Sequence, residues 1–142
     1  MPGRDIRPEI SQRAELRRWW EEHSKLDKLV EAFIQTLREG SVPAAIGALD
    51  ELAQAFETHM SVEEDVYFPL VEKLHGAQIP LVREAREFHP NLRAGLAEIR
   101  SRLDQRDPAA AHQKLSSLLD LFRLHEQTES KLIATLEHPA SS

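Results

Sequence analysis

Residues 49–70 read LDELAQAFETHMSVEEDVYFPL, and their spacing decides the fold. Leu49, Leu52, Phe56, His59, Glu63, Val66 and Leu70 recur at steps of three and four, the period of a helix face buried in a bundle. Two members of that face, His59 and Glu63, are polar where packing calls for leucine. The stripe returns in the last quarter of the chain as Leu115, Leu118, Phe122, His125, Glu129, Leu132 and Leu136. Two further stripes complete the set. One is Leu16, Trp19, His23, Leu26, Val30, Phe33 and Leu37; the other is Val82, Ala85, His89, Leu92, Leu96, Ile99 and Leu103. Each has a histidine in the place of an apolar residue.

Punctuation separates the four segments. Gly40 can supply a left-handed residue after the first helix, Ser41 an N-cap for the second, and Asp107 with Pro108 an N-cap and first-turn proline for the fourth. The helices are predicted over about 9–39, 43–75, 79–106 and 108–137, with Pro69 and Pro90 expected to distort the second and third. Alternating strand patterns are absent and the connections are short. The expected fold is therefore all-α, an up-down-up-down antiparallel four-helix bundle forming a single domain over residues 1–142.

The two halves repeat. Residues 23 and 89, 59 and 125, and 63 and 129 all differ by 66, and the same shift superimposes Leu26 on Leu92, Leu49 on Leu115 and Phe56 on Phe122 without a gap. Such a repeat predicts a pseudo-two-fold axis through the bundle. His23 and His59 each lie 18 residues from Ser41, and His89 and His125 each lie 18 from Asp107. At 1.5 Å per residue all four imidazoles sit roughly 27 Å from their turns, at one level of the bundle. Glu63 and Glu129 follow their histidines by four residues and share the same helix faces.

Four imidazoles and two carboxylates in one core layer need a cation. Burying an unpaired carboxylate costs several kcal/mol even after relaxation, a large share of a domain's stability of about 5–15 kcal/mol. The donor set is too rich in nitrogen for calcium or magnesium and suits iron, manganese or zinc. The chain contains 7 His and no Cys, which excludes thiolate nucleophiles, zinc–thiolate sites and iron–sulfur clusters. The repeat suggests two metals, each with two terminal histidines, bridged by Glu63 and Glu129 and by a solvent-derived oxo or hydroxo group.

At these residues the chain resembles the hemerythrin-like family, the HHE cation-binding domains. The motif H…HxxxE…H…HxxxE is carried by His23, His59-Met-Ser-Val-Glu63, His89 and His125-Glu-Gln-Thr-Glu129, and the run Glu63-Glu64…Phe68-Pro69 is also typical. The resemblance covers essentially the whole chain and implies a non-haem di-iron centre that takes dioxygen, hydrogen peroxide or nitric oxide. Oxygen-carrying hemerythrins have another histidine one turn after the third-helix histidine and an HxxxxD pair in the last helix; here those positions are Arg93 and Ser130. A centre with two histidines on each ion favours redox turnover, or sensing, over simple carriage. The variant is similar to iron-centre repair proteins of nitrosative stress and to peroxide-handling bacterial relatives. The repair proteins' N-terminal Cys-containing domain has no counterpart here, so repair by that architecture is not expected.

Around the six residues, Tyr67 lies one turn beyond Glu63 as a candidate to hydrogen-bond a bridging group or supply an electron, with ordinary packing as its alternative. Asp27 is a candidate to orient His23, against a surface pairing. Glu64, about 140° around the helix from His59, is left outside the ligand set. Trp19 and Trp20 are expected to close the apolar end of the site, and His75, His112 and His138 to lie on the surface. Lys and Arg number 18 against 24 Asp and Glu, a net charge of −6, which disfavours nucleic acid as a partner. Neither a secretory signal nor a membrane span is visible, so the expected location is the cytoplasm. The expected function is a di-iron oxidase or peroxide-handling protein, with binding or sensing of oxygen, nitric oxide or iron as the alternative.

Overall fold

The computed structural model describes residues 7–137, and among them every regular element is helical. Helix α1 spans Arg7–Glu39, α2 Val42–Val62, α3 Phe68–Leu74, α4 Ile79–Asp104 and α5 Pro108–Glu137. A π-helical turn at Glu63–Tyr67 joins α2 to α3, so the five pieces make four rods. Helix α1 packs against α2 and α5, and α4 packs against α5 and α2.

The turns form for the reasons the sequence supplies. Gly40 adopts φ +79°, Ser41 Oγ accepts from Ala44 N–H at 3.3 Å, and Asp107 Oδ1 accepts from Ala110 N–H at 3.1 Å. The chain ends α4 through Arg106 in the same left-handed region, at φ 58°, with Asp107 N–H bonded to Arg102 O at 3.0 Å.

Pro69 accounts for the π turn. A proline there has no N–H for the carbonyl four residues back, and its ring would crowd that carbonyl. The helix widens ahead of it, with Phe68 N–H bonding to Glu63 O across five residues. The inward face slips as a result. Val66 is 41% exposed and Leu70 only partly buried, whereas Tyr67, Phe68 and Val71 are fully buried. This corrects the expected stripe beyond Glu63. Pro90, by contrast, is carried inside α4 without breaking it.

Two apolar clusters lie on either side of the polar residues. One holds Leu26, Phe33, Leu49, Leu52, Phe56, Leu92, Ile99, Leu115 and Phe122; the other holds Trp19, Tyr67, Phe68, Val71, Val82, Ala85, Leu132 and Ile133. In α1 and α4 the chain passes from the second cluster through the histidine to the first; from α2 into α3, and along α5, it passes the other way. The side chain of Leu16, residue Leu136 and His138 lie outside the described side chains.

Candidate metal centre

His23, His59, Glu63, His89, His125 and Glu129 meet in the layer between the two clusters, each no more than 4% exposed. They form two overlapping groups, His23–His59–Glu63–Glu129 and Glu63–His89–His125–Glu129, whose donor atoms within each group lie within 4.8 Å of one another. His59 Nε2 is 3.0 Å from Glu63 Oε2, and His125 Nε2 is 2.9 Å from Glu129 Oε2. Across the bundle, His89 Nε2 is 3.0 Å from Glu63 Oε1 and His23 Nε2 is 2.6 Å from Glu129 Oε1. Imidazoles pair by group, with ring centroids 5.1 Å apart for His23 and His59 and 5.3 Å for His89 and His125.

The layer fits a cation. Four fully buried atoms, His59 Nε2, His125 Nδ1, His125 Nε2 and Glu129 Oε2, lack a hydrogen-bond partner, although two of the pairs above bring three of them within 3.0 Å of another polar atom. Donor atoms crowded together without hydrogen-bond geometry, in a place where an unsatisfied polar group is costly, are what ligands around a shared ion look like. Nitrogen and carboxylate oxygen in a 4:2 ratio match a transition metal.

Charge in the layer is unevenly spread. Burial pushes the His59 imidazole down, but the Glu22 carboxylate bonded at Nδ1 and the Glu63 carboxylate 3.0 Å from Nε2 outweigh it and raise the group to about 9. Burial pushes the Glu63 carboxyl up, yet contacts with His59 and His89 and the charges of His59 and His125 hold it well below the usual carboxylate range. Burial dominates at His125, which falls to about 3, and at His23, which is also lowered.

Carboxylates outside the six orient two of the imidazoles. His59 Nδ1–H donates to Glu22 Oε2 at 2.9 Å, and His89 Nδ1–H donates to Glu64 Oε2 at 2.6 Å, which turns each Nε2 into the layer. Glu22 and Glu64 were not foreseen in this role. Glu22 lies one residue off its stripe and acts across to α2, a relation that single-helix periodicity does not carry. On an ideal helix Glu64 faces away from His59, and the wider π turn brings it toward His89 on α4 instead. Asp27 is exposed, while Arg93 pairs with Glu57 at 2.8 Å and approaches Glu64 at 3.7 Å.

Aromatic residues wall the layer. Trp19 is fully buried and its indole N–H donates to Glu63 Oε2 at 2.9 Å, whereas Trp20 is 45% exposed with its ring edge-on to His23; only Trp19 closes the apolar end. Tyr67 stacks on Trp19 at 4.6 Å and its hydroxyl reaches Glu22 Oε1 at 3.5 Å, so it packs beside the layer without entering the six. Phe68 stacks on His89, and Phe88 stands edge-on to His125. A groove of about 350 Å³ between α1 and α2, lined by Leu26, Leu29, Ala55 and Thr58 among others, reaches inward to Glu22 and His59. His75 is partly buried near the end of α3, and His112 is exposed on α5. No helix among the described residues is long and apolar enough to cross a membrane.

Searches of curated proteins and of solved structures gave no significant match. The model of the hemerythrin HHE cation-binding domain, however, matches residues 13–136, a span that contains all six buried residues. With that match and the two histidine–glutamate groups, the chain belongs to the hemerythrin HHE cation-binding domain family.

Proposed function

We propose that the six buried residues hold two metal ions, with iron as the resident metal and manganese or zinc as substitutes, and that the protein reacts with dioxygen or hydrogen peroxide. The observation that carries this reading is the set of three unpartnered buried atoms, His59 Nε2, His125 Nε2 and Glu129 Oε2, inside two donor groups that share Glu63 and Glu129. His23 and His59 would hold one ion and His89 and His125 the other, with Glu63 and Glu129 available to both because each belongs to both groups. Iron bound there would supply redox chemistry toward dioxygen, peroxide or nitric oxide.

The remaining work belongs to the chain. Glu22 and Glu64 fix imidazole tautomer and ring orientation, and Trp19 holds one carboxylate. Phe68, Phe88 and Val71 keep bulk water from the layer. No cysteine is available to compete as a nucleophile or be oxidised in place of the metals. The order in which each helix passes the two apolar clusters supports an up-down-up-down bundle, with the 66-residue offset as its internal repeat and one domain as its extent. A cytoplasmic location and an external reductase complete the reading.

Peroxide added to the iron-loaded protein separates turnover from carriage. Sustained dioxygen release or oxidation of a reductant over many equivalents is expected. A single stoichiometric event, reversed by removing the ligand, would instead make the protein a binder or sensor of oxygen or nitric oxide.

A further inference from the structure

The two central carboxylates are not held alike. Glu63 Oε2 accepts the indole N–H of Trp19 at 2.9 Å, and both residues are fully buried. The indole has little room to move, since it stacks on Tyr67 at 4.6 Å and 17° and meets Phe68 edge-on at 6.3 Å. Sixty-six residues beyond Trp19 stands Ala85, which has no donor to offer Glu129. Glu129 Oε1 lies 2.6 Å from His23 Nε2, and its Oε2 has no hydrogen-bond partner.

Metal binding sharpens this difference. An imidazole nitrogen that ligates a metal carries no proton, so contacts between Nε2 atoms and the carboxylates cease to be hydrogen bonds. The indole N–H is a donor only and binds no metal, so its bond to Glu63 persists in the loaded protein. On the reading that the six residues hold two metals, we infer that Trp19 is a positioning residue that fixes Glu63 as the immobile bridge. Glu129, with no such donor on either oxygen, would be the less constrained of the two carboxylates.

Cobalt(II) alone is the probe, because its visible bands report ligand number without any turnover. In the full chain, Trp19→Phe keeps an aromatic ring against Tyr67 and Phe68 while removing the N–H together with part of the indole, with Trp20→Phe as the control and the aspartate variants below isolating the hydrogen bond from the lost ring. Wild type and the control are expected to bind two cobalt ions with the same spectrum, and Trp19→Phe to bind them about 10–100-fold more weakly with shifted bands, the usual cost of losing a partner of a ligand. Glu63→Asp, which draws the carboxylate from the indole, is expected to lose at least about tenfold more affinity than Glu129→Asp. Equal losses in the two aspartate variants, or unchanged binding in Trp19→Phe, overturn the inference while leaving the metal centre intact. Wild-type protein that takes up no cobalt overturns the metal reading itself. Should Trp19→Phe not fold, indole hydrogen exchange in zinc-loaded wild type decides the matter: about 100-fold slower exchange at Trp19 than at Trp20 is expected, and equal rates contradict it.

Discussion

The first hairpin and the second carry the same three ligand-type residues at the same spacing, yet they surround them differently. The first half supplies Trp19, Glu22 and Tyr67 beside its own residues and Glu64 to His89 across the bundle; the positions 66 residues on are Ala85, Phe88, Ile133 and Ser130. Each polar or indole group of the first half is matched by an alkyl, phenyl or small side chain in the second. The consequence is visible at two equivalent atoms. His59 Nδ1 bonds to Glu22, whereas His125 Nδ1 is buried without a partner beside Phe88. The difference teaches that the ligand set and its support obey separate constraints: donors must converge from both halves, while orientation can be supplied from one.

Removing a shared carboxylate should have the largest effect. Glu63→Ala and Glu129→Ala are each expected to lose at least one metal, because both residues belong to both groups. Glu63→Ala should also destabilise the metal-free protein by about 1–3 kcal/mol, since it strands the Trp19 N–H in the core. Elemental analysis and thermal melts check both, and two metals retained by either variant would break the comparison at its root.

Next come the supports. Glu22→Gln and Glu64→Gln are expected to keep two metals but to bind them about 10–100-fold more weakly, measured by competition with a chelator. The converse change, Phe88→Glu, gives His125 the kind of partner His59 already has. It should slow metal loss at a cost of about 1–2 kcal/mol in packing. Faster metal loss in that variant would mean the bare face of His125 is required rather than merely tolerated.

The turns offer a smaller contrast. Gly40 and Arg106 are 66 apart and both left-handed, at φ 79° and 58°. A side chain in that region costs about 1–2 kcal/mol, partly offset by the lower unfolded-state entropy of a non-glycine residue. Gly40→Ala should therefore lower stability by about 1 kcal/mol, and Arg106→Gly should raise it by about 0.5–1 kcal/mol, or a few degrees in Tm.

Smallest of all is the surface pair Arg93–Glu57. The hydrogen bond from Arg93 holds the Glu57 carboxyl below its usual range, so the pair contributes at neutral pH. That contribution fades as the pH falls below about 4.3 and the folded carboxyl protonates. Arg93→Ala should cost less than about 1 kcal/mol and leave the metal count unchanged.

Much of this was legible in the sequence. The helical segments followed from stripes that hold without exception in α4, where Val82, Ala85, His89, Leu92, Leu96, Ile99 and Leu103 are all buried. The convergence of six polar residues followed from one offset and one depth. What escaped was whatever depends on departures from regular helix or on neighbouring helices. The stripe past Glu63 slipped because a proline widened the turn, and with it went the placement of Val66 and Glu64. Glu22 escaped because its partner lies on another helix, and the indole donor of Trp19 because its apolar burial already explained it.

The metal content of protein purified from iron-sufficient cells, read with its optical spectrum, tests the central claim most directly. Close to two irons per chain, lost together with the visible absorption on chelation, is the expected result. Fewer than about one iron per chain with zinc in its place would contradict the account, since zinc has no redox chemistry to offer dioxygen or peroxide.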